Sequence, residues 1–213
     1  MKMSKPNENH ACACSCPNLP ANELADSGRR QMLTSALALA AMAPMAALAD
    51  GEPADAAPKR STKPQEGDKL AFMLGEKEGK EILPSDLKIG AEPTLAYPLD
   101  PATGKALVAK ASLLVVVRLK PEDLKPGSAK NAADGGVVAF SSMCTHYGCP
   151  ITTLHPNGTQ VVCNCHGSVF NAADRGVVTN GPATRRLAML PLELKDGAIV
   201  VKGKFDGPLG PPT

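Results

Sequence analysis

Two short segments rich in cysteine and histidine constrain this chain more than any other feature of its sequence. Box one spans residues 144–149 and has the sequence CTHYGC, and box two spans residues 163–168 and has the sequence CNCHGS. Together they hold four of the 7 cysteines and two of the 4 histidines. Each box therefore offers a thiol and an imidazole that are close in sequence, together with one further cysteine.

This combination of side chains predicts a transition-metal centre. Cysteine thiolates combined with histidine imidazoles suit zinc or an iron–sulfur cluster. A zinc site would use four such ligands equally well, but it gives no reason for a spare cysteine in each box. The residues alone leave both metals open and favour the iron–sulfur cluster.

The doubled pattern resembles the Rieske [2Fe–2S] family, in which two histidines replace two cysteines on one of the two irons. The resemblance covers roughly residues 66–205. It implies that Cys144 and Cys163 hold one iron and that His146 and His166 hold the other, with one cluster per chain. It also implies an all-β fold of stacked antiparallel sheets, in which a small cluster-binding subdomain is inserted into a base domain.

Further positions around the two boxes match the same family. The resemblance implies that Cys149 and Cys165 form a disulfide between the ligand loops, as in the electron-transfer members. Where family members have a serine at the place of Ser168, its hydroxyl donates a hydrogen bond to a bridging sulfide, which raises the reduction potential. Phe170 stands where high-potential members often have tyrosine, so a lower potential is implied. The surrounding positions implied by the resemblance are Gly148, Gly167, Ser168, Phe170, Gly181 and Pro182.

Composition and charge limit the classes of protein to which the chain can belong. The net charge is only +2, which gives no support to nucleic-acid binding. Aromatic residues make up 3%, and there are 20 prolines and 19 glycines, which is typical of a loop-rich β fold with an aliphatic core. A disulfide would further imply an oxidising compartment.

The N-terminal residues 1–49 are predicted to be a twin-arginine export signal. Arg29 and Arg30 precede an uncharged run, 32–49, that ends in Ala-Leu-Ala. Export by this route predicts a periplasmic protein. The route also suits the predicted cluster, because the folded domain crosses the membrane with its cluster already in place. The alternative is a retained anchor in the inner membrane that faces the periplasm, although the run is short for a span and Pro44 interrupts it. Residues 50–67 are predicted to be a flexible linker.

The Rieske domain is expected over residues 68–205, with its cluster-binding subdomain at about 140–186 and a tail at 206–213. Apolar runs predict strands leading into each box, and Asp-Gly at 196–197 predicts a hairpin. The polar stretch 120–136 is expected to be either a functional or partner-contacting loop or a plain solvated one.

Arg185 and Arg186 follow the segment that resembles the family's proline loop. This pair is expected either to direct positive charge at a partner or to form a solvated edge.

The chemistry that the resemblance implies is one-electron transfer, and no set of residues for a complete catalytic site accompanies it. We expect an electron relay that works with a large redox subunit and a c-type cytochrome or similar acceptor. The features outside the boxes are most similar to the small subunits of arsenite oxidase, a molybdopterin enzyme. Two alternatives stay open: the Rieske subunit of a quinol–cytochrome c oxidoreductase, and a free periplasmic Rieske ferredoxin.

Overall fold

The computed structural model describes residues 60–212, and its regular secondary structure is almost entirely β-strand. The predicted export signal, the three cysteines within it and most of the predicted linker lie outside the described residues. The strands are β1 Lys69–Phe72, β2 Thr94–Leu99, β3 Leu114–Arg118, β4 Val137–Ser141, β5 Thr153–Leu154, β6 Gln160–Cys163, β7 Ser168–Asn171, β8 Val177–Asn180, β9 Met189–Leu190, β10 Leu192–Lys195 and β11 Ala198–Val201. The helices are a single α-helical turn, Pro126–Ala129, and three 3-10 turns, Pro84–Asp86, Lys110–Ser112 and Pro121–Asp123.

The strands form two antiparallel sheets. The larger sheet has seven strands in the order β10-β11-β1-β2-β3-β4-β9, and the smaller has four in the order β5-β6-β7-β8. The four-stranded sheet lies between β4 and β9 in the chain, so it is an insertion into the seven-stranded base. This arrangement confirms the predicted all-β class with an inserted subdomain.

The continuous apolar run of β3 is explained by burial on both faces of the base sheet. Val115 and Val117 belong to a core shared with the inserted sheet, whereas Leu114 and Val116 belong to a second core on the opposite side. Because successive side chains of a strand point to opposite faces, each residue of the fully buried run 114–117 packs in one core or the other, which favours apolar side chains throughout. The neighbouring strand β4 is buried along its whole length for the same reason.

The predicted hairpin is present between β10 and β11. Asp196 and Gly197 both have positive φ, 51° and 81°, which is the backbone conformation of a tight hairpin turn that favours Asp-Gly. Leu192 pairs with Val201 and Lys195 pairs with Ala198, so the two strands are in register along their full length.

The described end of the predicted linker is attached to the base, which corrects the expectation of flexibility for residues 60–67. Arg60 forms an ion pair with Asp68 and another with Asp100, at 2.6 Å. The hydroxyl of Ser112 donates to the carbonyl of Thr62 at 2.6 Å. The composition of the segment did not indicate these contacts, because Asp100 and Ser112 lie 40 to 50 residues further along the chain.

The stretch 120–136 is also held to its neighbours. The hydroxyl of Ser128 donates to the carbonyl of Ala172 at 3.2 Å and accepts the N–H of Arg175 at 2.7 Å. The N–H of Lys125 donates to the carbonyl of Ala173 at 2.8 Å. This stretch therefore joins the base to the inserted sheet. Within residues 60–212, no helix has the length and apolar character that crossing a membrane requires.

Gly136 provides a direct test of the packing between β3 and β4. Its φ is +83°, and a Cβ there would lie 2.0 Å from the carbonyl oxygen of Leu119. We expect Gly136→Ala to lower the free energy of unfolding by about 3 kcal/mol or more, since a strained φ is added to a main-chain clash. The measurement is urea denaturation followed by circular dichroism.

The matched control is Gly104→Ala. Gly104 has a φ of +64° but nothing within 4 Å of the added Cβ, so only the backbone strain applies. We expect this variant to lose about 1 kcal/mol. Equal losses for the two variants would contradict the proposed close approach at Gly136.

Candidate metal centre

The two boxes are loops that begin at the ends of strands from different sheets. Box one follows β4 of the base, and box two connects β6 to β7 of the inserted sheet. In box one the N–H of Gly148 donates to the carbonyl of Cys144 at 2.8 Å, and in box two the N–H of Gly167 donates to that of Cys163 at 3.0 Å. Both glycines have positive φ, 73° and 72°, which explains why each turn contains glycine at this point.

A disulfide joins the two loops. Cys149 of box one is bonded to Cys165 of box two, and their Cα atoms are 6.6 Å apart. The structure thus contains the bridge that the family resemblance implied. The sulfurs of this bridge and of Cys163 lie within 4.8 Å of one another, so the disulfide packs directly beside a free thiol.

The remaining two cysteines of the boxes are buried and unbonded. Cys144 and Cys163 are each about 1% exposed and belong to the core that the base shares with the inserted sheet. Burial raises the pKa of the Cys163 thiol, and the neighbouring Cys144 thiol raises it further, although N–H groups of box two partly offset this. Two adjacent buried thiols are a pair of soft ligands for a metal.

The two imidazoles of the boxes lie together on the outer side of these thiols. The ring centroids of His146 and His166 are 4.8 Å apart, with their planes at 87°. His166 is exposed and His146 is half-buried. The Nδ1 atom of His146 is buried and has no hydrogen-bond partner in the described part of the chain. A buried nitrogen of this kind needs a partner, and a metal ion would supply it.

The donors present fit a [2Fe–2S] cluster. Two thiols face inward, two imidazoles face outward, one imidazole nitrogen lacks a partner, and a disulfide ties the loops that carry them. The structure brings together all six predicted side chains of the two boxes. A Rieske-type cluster takes two sulfur and two nitrogen ligands, which is the set of donors found here.

The third side of the site is closed by the segment that resembles a proline loop. Gly181, with a φ of +85°, approaches box two so closely that a Cβ would lie 2.5 Å from the carbonyl oxygen of Gly167. The N–H of Ala183 donates to the hydroxyl of buried Ser168 at 3.2 Å, which leaves the proton of that hydroxyl available to donate. Pro182 is exposed on the outer surface of this loop.

Phe170 is fully buried beneath the site. It packs in the same core as the two free thiols. Its apolar ring contributes no hydrogen bond there, in keeping with the expectation from the sequence.

Two residues next to the predicted ligands, Thr145 and Tyr147, were not singled out as site residues by the sequence. The hydroxyl of Thr145 donates to the carbonyl of Arg185 at 2.6 Å, which ties box one to the proline loop. The ring of Tyr147 is 72% exposed and lies 4.4 Å from His146 and 5.7 Å from His166, centroid to centroid. Their position within box one was the only feature of the sequence that could have indicated a role at the site.

The arginine pair is not directed at solvent. The guanidinium of Arg185 donates to main-chain carbonyls of residues 209–211, and that of Arg186 binds Asp206. The expectation of a solvated edge is therefore wrong, and the expectation of a partner contact stays a prediction. The sequence did not indicate these contacts, because main-chain carbonyl groups leave no pattern in a sequence and Asp206 lies about 20 residues away.

Comparisons with known proteins agree with the fold and the site. Residues 99–191 match the model of the Rieske [2Fe–2S] domain. The chain is 31% identical over 193 residues to the cytochrome bc1 complex Rieske iron–sulfur subunit of Streptomyces coelicolor, covering 86% of this chain and 53% of that subunit. It is 37% identical over 105 residues to the corresponding subunit of Streptomyces lividans, covering 49% of this chain and 61% of that one.

Among solved structures, the chain aligns with the plasma membrane Rieske protein of the cyanobacterium Synechocystis PCC 6803. That alignment has a TM-score of 0.38 and 26% identity, and it covers 57% of this chain and 95% of the other. The chain spans only 53% and 61% of the two Streptomyces subunits it matches.

The fold and site define a small β-sheet metalloprotein in which two facing loops carry cysteine and histidine. The chain contains a Rieske [2Fe–2S] domain, which binds a [2Fe–2S] cluster and serves electron transfer. The family prediction is thereby confirmed.

Ser168 offers a test of the polar surroundings of the site. We expect Ser168→Ala to lower the reduction potential by about 60–130 mV, the equivalent of one hydrogen bond to a charged group in a one-electron couple. The direction follows because a hydroxyl donor stabilises the added negative charge of the reduced state. Protein-film voltammetry at a fixed pH measures the shift.

Ser142→Ala is the matched control. Ser142 is also fully buried, but its hydroxyl donates to the main-chain carbonyl of Ile151 at 3.1 Å. This variant should lose stability with a much smaller change in potential. An unchanged potential in Ser168→Ala would contradict the role assigned to its hydroxyl.

Proposed function

We propose that this chain is the electron-relay subunit of a quinol–cytochrome c oxidoreductase and that Cys144, His146, Cys163 and His166 are the cluster ligands. The observation that carries the proposal is the similarity of most of the chain to a cytochrome bc1 Rieske subunit. It supports this hypothesis better than the arsenite-oxidase relationship that the sequence first suggested.

The division of the site into a buried and an exposed side suits a relay. When bound, the cluster supplies a one-electron couple. Cys144 and Cys163 anchor it from the core, whereas exposed His166 presents an imidazole edge to whatever docks there. If the buried Nδ1 of His146 is the metal-binding atom, its Nε2 is left to hold a proton.

The rest of the site limits what else the protein can do. The depression beside His146 is lined, in the described part of the chain, by Tyr147, two threonines and three prolines. No carboxylate, lysine or free cysteine is among them, so we assign the chemistry of substrates to a partner. For this chain we propose a quinol-oxidising membrane subunit as the donor and a c-type cytochrome as the acceptor.

We also propose that the ordered domain faces an oxidising compartment. The Cys149–Cys165 disulfide supports this proposal, because such bonds persist outside the reducing cytoplasm. The twin-arginine signal predicted over 1–49 would provide the route if it functions as expected. Export through it gives a periplasmic domain, whether or not the segment is retained as an anchor.

The test is affinity purification of the tagged full chain from solubilised membranes of its native host, with metals and haems assayed in the eluate. We expect haem b and haem c to co-purify with iron at about two per chain, the content of one [2Fe–2S] cluster. Molybdenum with a large subunit would instead support the arsenite-oxidase relationship. Iron alone, in the soluble fraction, would support a free ferredoxin.

A further inference from the structure

The segment Asp206–Pro212, here called the strap, lies against the candidate metal centre although it is outside the family match. The match to the Rieske domain ends at residue 191, so the strap is not part of the shared pattern. Its proline- and glycine-rich sequence forms no strand, yet it contacts both ends of box one.

Arg185 holds the strap by its main chain. Its guanidinium donates to the carbonyl oxygens of Leu209 at 3.2 Å, Gly210 at 2.7 Å and Pro211 at 2.8 Å. The main-chain carbonyl of Arg185 accepts the hydroxyl of Thr145, between Cys144 and His146. One residue thus connects the strap with the loop that carries His146.

The other end of the strap is fixed to the base. The main chain of Asp206 pairs with Met189 through two hydrogen bonds, of 2.7 and 3.2 Å. Its carboxylate binds Arg175 at 2.6 Å and Arg186 at 2.8 Å. Burial opposes ionisation, but these two hydrogen-bonded cations hold the pKa of Asp206 below its usual range.

Between these anchors the strap packs closely on box one. Gly210 has a φ of +63°, and a Cβ there would lie 2.4 Å from the sulfur of Met143. A ring carbon of Pro211 lies 3.7 Å from where a Cβ on Gly148 would be. The strap therefore touches box one on both sides of its turn.

The consequence is an asymmetry between the two imidazoles. His146 lines a depression of about 420 Å³ together with Pro182, Pro211 and Pro212, whereas His166 is not part of its lining. His146 is half-buried and His166 is exposed. Two prolines of the strap therefore form part of the wall of the depression beside His146.

We propose that the strap, latched by Arg185, shields His146 and limits access to its imidazole. Arg185 is then a positioning residue, which acts on the site through the strap. This inference rests on the proposed ligand role of the two histidines. It adds that the accessibility of His146 is set by a segment outside the Rieske domain match.

The test is carbethoxylation of the oxidised, cluster-loaded protein with diethylpyrocarbonate, mapped by peptide mass spectrometry. The variants are a chain that ends at Gly207, which keeps Asp206 and its ion pairs, and Arg185→Met. Lys204→Met is the matched control, because it removes one positive charge from an exposed side chain near the strap. His155, on a separate turn, is the internal reference within each sample.

We expect His166 to react faster than His146 in the full chain. In both strap variants the rate at His146 should rise about fivefold or more, because loss of the segment, or of its hydrogen bonds to Arg185, shifts the local equilibrium toward the open site. The rates at His155 and His166, and the paramagnetic resonance spectrum of the reduced cluster, should stay as they are. Lys204→Met should behave like the unmodified sequence.

Two results would overturn the inference. An unchanged rate at His146 in the chain ending at Gly207 would mean that the strap shields nothing. A parallel rise at all three histidines would make the strap a general brace of the fold. The paramagnetic resonance spectrum tests the proposed function separately. A full chain that gives no Rieske resonance would count against the proposed function, whereas the modification rates report on the strap.

Discussion

The structure depends on holding two loops from different sheets at one fixed separation. Box one belongs to the base and box two to the inserted sheet, so strand hydrogen bonds within a sheet do not join them. The Cys149–Cys165 bond does so covalently, and the buried thiols of Cys144 and Cys163 meet directly beneath it. A metal cluster bound between the loops would add further connections, which stabilise only the folded state.

The surrounding elements reinforce this connection from the remaining sides. Gly181 allows the proline loop to touch the main chain of box two, and Ala183 donates to the hydroxyl of Ser168. Thr145 ties the same loop to box one. Each of these contacts reaches a residue next to a proposed ligand and not the ligand itself.

Much of the fold and of the site could be predicted from the sequence, for identifiable physical reasons. The β3 and β4 runs predict buried strands because alternation is lost only when both faces are covered, and Asp196-Gly197 predicts its turn because of the positive φ that such turns need. The two boxes predict the donor set. The contacts of Arg185 and of residues 60–67 could not be predicted, because a guanidinium bound to main-chain carbonyls and ion pairs between distant residues leave no periodic signal.

The central claim is that two histidines and two cysteines hold the cluster. The most direct test is electron–nuclear double resonance on the reduced protein, with all histidines labelled with nitrogen-15. The account predicts two strongly coupled histidine nitrogens, lost one at a time in His146→Ala and His166→Ala wherever those variants keep a cluster. A cluster that shows no coupled histidine nitrogen, or one that keeps both couplings in either variant, would contradict it.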